Sequence, residues 1–325
     1  MPSTHSPRHG SLQVWPRVRA KRQYPRVRSY VESKDAKPLA FAGYKAGMTR
    51  ILAIDNRKST PTKGNPIAIA CTVIECPPLK VCGVAFYKDT VHGWTKVTQV
   101  LSDKLDKHLK KKITVPKKSS KKFDDVKPEE FDDLRLIIHT QPVLTGLAKD
   151  KPEIFEIPLG GKKDEKIAAA KEHMGKELAV SDVFAEGELV DSHSITKGKG
   201  FQGATKRNRT GLRSHKSEKG QRGPANIGAW TGARSWTVAF PGQVGYHQRT
   251  SYNKWILKVG NNPEEVIPKG DFVRYGKVKT TYMLVKGSVG GPKKRLITFT
   301  KAIRSNPKIP SQPPQITFIS NKSQQ

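Results

Sequence analysis

The chain has 325 residues, and its 60 Lys and Arg against 28 Asp and Glu leave a formal charge of +32 at pH 7. With glycine counted and tyrosine omitted, apolar residues make up roughly 41% of the chain, below the ~45–50% of ordinary globular proteins, so part of it belongs to no hydrophobic core. Self-repulsion at this charge opposes a compact isolated fold, which points to a polyanionic partner and away from a plain soluble domain with a solvated basic face.

Residues 1–38 read as a basic N-terminal arm. Its first 30 residues hold Arg8, Arg17, Arg19, Lys21, Arg22, Arg26 and Arg28, four prolines and no acid. Such a segment buries too little apolar surface to offset its ordering entropy, so an extended arm that orders on a phosphate backbone is expected. No apolar stretch of the secretory kind occurs near Met1. The longest apolar run, Ile67–Ile74, is far shorter than the ~20 residues that span a bilayer, so no membrane partner is expected and the location should be cytoplasmic.

Residues 39–100 change character. Short apolar runs at Leu39–Gly43, Thr49–Ile54, Ile67–Ile74 and Val81–Tyr87 are separated by turn residues, with Pro77-Pro78 between the last two. These predict antiparallel strands forming the first part of a β-barrel. Cys71, Cys76 and Cys82 fit neither a zinc ribbon nor a disulfide framework and are expected to be buried thiols, with no metal site.

Residues 101–189 read as a helical insertion. Leu101, Leu105 and Leu109 share one helical face, and Asp164–Leu178 predicts a second helix ending near Gly175. Between them a lysine run from Lys110 to Lys122 gives way to six acids within Asp124–Asp133. The change of sign leaves a solvated lobe and a peripheral RNA contact equally open.

Residues 190–255 form a long basic central extension, and residues 256–325 return to strands at Phe272–Tyr275, Thr281–Val285 and Arg295–Thr300. The predicted fold is mainly β with an α insertion: one barrel built from both ends of the sequence, interrupted by the insertion and the extension. Ser194–Lys254 carries twelve basic residues, ten glycines and a single acid, Glu218. Glycine lets backbone approach phosphate closely, Arg offers a planar fork, and Phe201, Trp230, Trp236, Tyr246 and Tyr252 offer faces on which unpaired bases stack.

Gly198-Lys199-Gly200-Phe201-Gln202-Gly203 matches the G-x-G-x-x-G of nucleotide loops, but Lys206–Gly211 behind it lacks the apolar periodicity of the helix such loops require. His193, His215 and His247 are too scattered for a metal set. No catalytic constellation, cofactor or small-molecule substrate is expected. Two rivals to RNA binding stand beside it: a nucleotide-dependent enzyme and a DNA-compacting protein.

Several stretches resemble the universal large-subunit ribosomal protein three family in its archaeal form. Phe41-Ala42-Gly43-Tyr44-Lys45-Ala46-Gly47-Met48-Thr49 is similar to the family's opening barrel motif, and Thr196–Gly203 to its most recognisable one. Ile227-Gly228-Ala229-Trp230 resembles the tip of the tryptophan finger, Tyr246-His247-Gln248-Arg249-Thr250 is typical of archaeal and eukaryotic members, and Leu284–Val289 resembles the closing strand and turn. Gln243 matches a glutamine that some bacterial members methylate. Asp191-Ser192-His193-Ser194-Ile195 departs from the family's more apolar run, which predicts a shorter or more polar strand there.

The resemblance implies a translation-protein-type barrel in the cytoplasmic ribosome, a central extension running toward the peptidyl transferase centre, and a part in early subunit assembly. Its implied partners are large-subunit rRNA and neighbouring ribosomal proteins, without homo-oligomerisation. The expected rRNA-binding set is Arg17, Arg19 and Arg22 on the arm and Lys197, Lys199, Phe201, Gln202, Lys206, Arg207, Arg209, Arg213, His215, Lys216, Arg222, Trp230, Arg234, Gln243, Tyr246, His247, Gln248 and Arg249 on the extension. Phosphate contact falls to the cations, stacking or wedging to Trp230, and polar contacts to Tyr246, His247 and Gln248.

Overall fold

The computed structural model describes residues 14–103, 105–116, 122–218, 220–223 and 239–323. They fall into two compact units: the described parts of Tyr24–Ser194 with Thr250–Gln325, and the smaller one from Met1–Gln23 with Ile195–Arg249.

The fold is mainly β. In chain order the larger unit begins with β1 (Ala40–Ile54), β2 (Pro66–Glu75), β3 (Leu79–Thr90), β4 (Gly93–Leu101), β5 (Asp133–His139) and β6 (Ile154–Pro158). Then come α1 (Lys163–His173), β7 (Glu177–Leu178), α2 (Val180–Val183) and β8 (Leu189–Ile195). The extension contributes β9 (Phe201–Gln202), α3 (Ala204–Asn208) and β10 (Gly242–Gln243). The chain ends with β11 (Gln248–Gly260), β12 (Tyr282–Lys286), β13 (Leu296–Lys301) and β14 (Ile316–Ile319).

One sheet has the order β13-β8-β11-β12-β2-β1-β14, and β13 also pairs with β1, so six of its strands return on themselves. Ala40–Tyr44 of β1 takes β13, and Ile51–Ala53 takes β14 on the same edge. A second sheet runs β4-β3-β5-β6, with β7 on β3. A continuous core joins them, from Phe41, Ile74 and Phe299 to Val84, Leu136 and Leu178, and the Tyr44 hydroxyl reaches Thr140 Oγ1 at 3.2 Å.

The two apolar runs Leu39–Gly43 and Thr49–Ile54 are one strand, β1, bent by a register shift at Lys45/Gly47. A Cβ at Gly47 would collide with the Phe272 ring, so only glycine lets this stretch pass so close. The three thiols are free and buried. Burial pushes Cys71 and Cys82 up to about 12 and raises Cys76 as well, leaving all three unreactive.

The segment 101–189 corrects the helical expectation. Leu101 ends β4, Lys107–Lys111 is a single 3-10 turn, and β5, β6 and β7 lie in the same stretch. Leu109 is buried, against Cys82, Ala85 and Ile137 on β3 and β5, so the leucine spacing reflects a turn folded over a sheet. The second helix is present as α1, with the Glu165 carboxylate accepting the Lys162 N–H at 3.0 Å and Gly175 in the left-handed region just beyond its end. The acids are partly used against lysines: Asp133 pairs with Lys166 at 2.7 Å and Asp124 with Lys171 at 2.7 Å.

Phe272–Tyr275 is a tight turn, where a strand was expected. The Tyr275 and Gly276 N–H groups both return to the Phe272 carbonyl at 2.9 Å, with Asp271 and Arg274 at positive φ. What draws this turn inward is Glu75, fully buried. Its carboxylate accepts the Tyr275 hydroxyl, the Lys279 and Thr280 N–H groups at 2.7 and 3.1 Å, and the Thr280 hydroxyl at 3.3 Å.

The polar strand Asp191–Ile195 is full length within β8 and buried throughout. Asp191 accepts the Asn253 N–H at 2.8 Å and the Ile303 N–H at 3.0 Å. The His193 ring sits between Thr250 Oγ1 at 3.0 Å and Thr300 Oγ1 at 3.1 Å, and burial holds its pKa below the ordinary histidine value. Asp191 and His193 are thus buried with their polar groups paired.

Candidate nucleic-acid interface

The bounds of the smaller unit contain sixteen Lys and Arg and one acid, Glu218. Its frame is a ribbon. The Thr196 N–H donates to the His247 carbonyl at 2.9 Å, Lys199 N–H to Val244 O at 2.9 Å, and Val244 N–H to Gly200 O at 2.9 Å. Beyond them β9 pairs with β10, Gln243 opposite Phe201. Gly245 turns the return strand at φ +75°, where a Cβ would collide with the Lys197 carbonyl.

This geometry settles the glycine motif. Although β8 precedes Gly198–Gly203 and α3 follows it, α3 has only five residues, and the motif's backbone is paired with the return strand. A phosphate loop needs its N–H groups turned toward one point ahead of a true helix. The motif here is the entry strand of a ribbon.

The expected contact residues divide into two groups. Lys197, Lys199, Lys206, Arg209, His215, Lys216, Arg222 and Gln248 are exposed, as are Arg19 and Arg22 on the arm, and Phe201 is 75% exposed. Arg209 sits in the left-handed region at the end of α3, which throws the chain out of the helix. Arg213 is half-buried, its N–H on the Gln221 carbonyl at 3.2 Å, and Thr205 Oγ1 donates to the Arg222 carbonyl at 2.9 Å.

The other group faces the protein. Arg207 donates to the carbonyls of Gln243 at 3.3 Å and Phe240 at 3.2 Å, closing the ribbon crosswise. Arg249 donates to the carbonyls of Val14, Pro16 and Gln248; burial first, and then the Arg17 charge, pulls its guanidinium below the ordinary value. His247 is buried, with Nδ1 2.8 Å from the Val18 carbonyl. Gln202 donates to the Lys199 carbonyl at 2.6 Å and Gln243 to the Gly245 carbonyl at 2.9 Å. Tyr246, at φ +55°, carries the Arg19 guanidinium 5.8 Å from its ring centre.

These contacts give two expected RNA-facing features partners within the protein. His247, expected as a donor to RNA, is turned to the arm. The arm itself, expected to order on phosphate, is ordered on the protein between Val14 and Ala20: the Ala20 N–H donates to Tyr246 O at 2.8 Å, and Arg17 to Asn208 Oδ1 at 2.7 Å. Farther on, Tyr24 and Tyr30 pack against the core of the larger unit. Asn208 was not foreseen; it also donates to the Phe240 carbonyl at 3.0 Å, and its place before the left-handed Arg209 was the only signal. Trp230 and Arg234 lie outside the described residues.

Among the described residues no cluster of His, Cys, Asp and Glu could hold a metal ion, and no helix is long and apolar enough to cross a membrane.

Comparison with known proteins places the whole sequence in one family. The sequence matches the family described as Ribosomal protein L3 over residues 1–325. It is 45% identical to the large ribosomal subunit protein uL3 of Methanocaldococcus jannaschii, over 98% of this chain and 97% of that one. It is 43% identical to the protein of the same name from Methanosphaera stadtmanae (99% and 98% covered) and 42% identical to that of Archaeoglobus fulgidus (99% and 98%). A match of this length, carrying both the strand framework and the basic ribbon, has one reading: the chain belongs to the ribosomal protein L3 family.

Proposed function

We propose that the protein is a non-enzymatic structural constituent of the large ribosomal subunit, held in the cytoplasmic ribosome by large-subunit rRNA and neighbouring ribosomal proteins. The observation that carries this reading is the smaller unit: a self-paired ribbon that holds Lys197, Lys199, Lys206 and Arg209 outward with one acid in the whole unit. Cations so arranged neutralise closely packed phosphates and stabilise an RNA fold that bare RNA resists. Arg207, Arg249 and His247 serve by positioning the ribbon and the arm.

The family resemblance extends the proposal. The returning six-stranded sheet is a barrel of the translation-protein type, the extension beyond the ribbon runs toward the peptidyl transferase centre with Trp230 at its tip, and the protein acts early in subunit assembly. The test is binding of the full chain to a large-subunit rRNA fragment across a salt series. With six or more phosphates engaged, log K should fall with log salt at about −0.7 to −0.9 per contact. A flat response, or equal affinity for duplex DNA, would overturn the reading; retention on the large subunit at high salt supports integration.

A further inference from the structure

The larger unit carries a cation excess of its own. Residues 272–325 hold eleven Lys and Arg and no Asp or Glu. Two turns gather part of that charge. The turn at 271–276 is drawn inward by the bond of Tyr275 to Glu75, which leaves Arg274 exposed. The turn at 290–295 lies between β12 and β13; the Arg295 N–H closes it on the Pro292 carbonyl at 3.3 Å, and Lys294 is exposed. Lys293 ties the two turns together, its Nζ donating to the Val273 carbonyl at 2.8 Å. From β1, Lys45 Nζ donates to the carbonyls of Val289 at 2.6 Å and Gly291 at 3.1 Å.

Neither turn comes with a counter-charge. Carbonyl bonds fix the Lys45 and Lys293 amines without neutralising them, and burial, with the Lys293 charge second, pulls the Lys45 amine below its ordinary value. None of the ion pairs among the described residues uses Lys45, Arg274, Lys293 or Lys294. Asp271 opens the first turn yet pairs with none of them, and Glu75 is taken up by its own donors. Every Asp and Glu of the chain lies among the described residues, so no further stretch of this chain can bring a side-chain carboxylate to the turns.

Two features point to a phosphate backbone as the missing anion. Arg274 and Lys294 both sit in the left-handed region, at φ +65° and +70°, as Arg209 does at +56°. Long side chains are strained there, and such strain gathers where a chain is shaped to hold a ligand. Second, no large hydrophobic side chain of either turn is exposed. A protein partner is met by aromatic and apolar anchors, whereas clustered cations without apolar neighbours suit phosphate oxygens. We infer that the paired turns are a second rRNA contact, in which Arg274, Lys293 and Lys294 hold phosphate oxygens of the RNA backbone and Lys45 fixes the turn that carries the two lysines. The inference rests on the ribosomal reading and adds an RNA-binding surface to the larger unit. Such a contact fixes position and reads no sequence.

The test uses the full chain carrying Arg274→Asn and Lys294→Asn, since asparagine tolerates the left-handed region and has no charge. Binding to whole large-subunit rRNA across a salt series should lose about 1.4–1.8 from the slope of log K on log salt, with the melting temperature unchanged. In parallel, Lys294→Cys is derivatised with Fe(II)-EDTA, for which the three buried native thiols do not compete, and the chain is assembled into large subunits. Hydroxyl radicals generated there should cut the rRNA at a discrete site. A parental slope in the double variant, cutting confined to a neighbouring protein, or uncut rRNA in subunits that contain the derivatised chain would each overturn the second contact while leaving the ribosomal reading intact. If the double variant melts early, the cutting alone decides. A flat salt response of the parent chain would instead overturn the ribosomal reading, and the second contact with it.

Discussion

The two units solve the problem of charge in opposite ways. In the larger one, acids are answered from within: Asp55 is held by Arg57, Thr60 and Thr62, Glu153 by Lys112 and Lys149, and the buried Glu75 by four donors. The smaller unit has sixteen cations and one acid. Its internal order comes from backbone pairing and from guanidinium-to-carbonyl bonds, which fix geometry without neutralising anything. One unit pairs its acids internally; the other is shaped in advance and, on the proposed function, is neutralised by an anion.

The sharpest test removes the outward cations together. Replacing Lys197, Lys199, Lys206 and Arg209 with Gln should flatten the salt slope of rRNA binding by about 3 and leave the unfolding of the larger unit unchanged. An unaltered slope would break the contrast. Next comes Glu75→Ala in the larger unit. Stripping the buried acceptor from its four donors, the Tyr275 hydroxyl the most buried of them, should cost about 3 kcal/mol in denaturant unfolding, with Glu75→Gln costing less because one acceptor oxygen stays.

Gly245→Ala acts on the ribbon alone. Forcing a side chain into the left-handed turn against the Lys197 carbonyl should cost about 1–3 kcal/mol of local stability. Weaker rRNA binding with an unmoved melting temperature of the larger unit is the expected readout; full-strength binding would show that the ribbon need not be preformed. Arg249→Ala should have a milder effect, freeing Val14–Ala20 for proteolysis in the isolated protein and not in the RNA complex. Equal cleavage rates in variant and parent would mean the arm is held by other contacts.

The smallest effect is one of pH. His193 is kept neutral by burial, so its folded pKa lies below its unfolded one and the unfolded chain takes up protons that the folded chain refuses. Stability should therefore be full above about 6.5, the ordinary histidine value, and fall as pH drops below it. His193→Gln should lessen the difference in melting temperature between pH 7.5 and 5.5. Burial shifts His139 in the same direction, so some of the difference should persist.

How much of this was legible in the residues follows from the same contrast. β1, β2 and β3 announce themselves because apolar runs bounded by prolines and polar turns have few other uses. β5 was hidden: Asp133–His139 opens at the end of the acid block, and its two-sided burial erases the alternation that marks a half-exposed strand. The polarity of β8 was legible in Asp191 and His193; its full length was not, because their burial requires partners on β11 and beyond β12, which are distant in sequence. The charge of Ser194–Lys254 was plain from composition. The division of labour within it was not, since a carbonyl oxygen and a phosphate oxygen ask the same thing of a guanidinium, and only the folded ribbon shows that Arg207 and Arg249 face carbonyls.

The arm's attachment also sets a schedule. Val14 is joined to Arg249 and Val18 to His247, separations of 235 and 229 residues. At about 5–20 residues per second of synthesis, the arm waits on the order of tens of seconds before the strand that holds it exists. Through that interval a proline-punctuated run of arginines is unclaimed by its own protein. A nascent chain of this kind needs either an escort or a quick introduction to RNA, and Arg249→Ala would prolong that need beyond the end of synthesis.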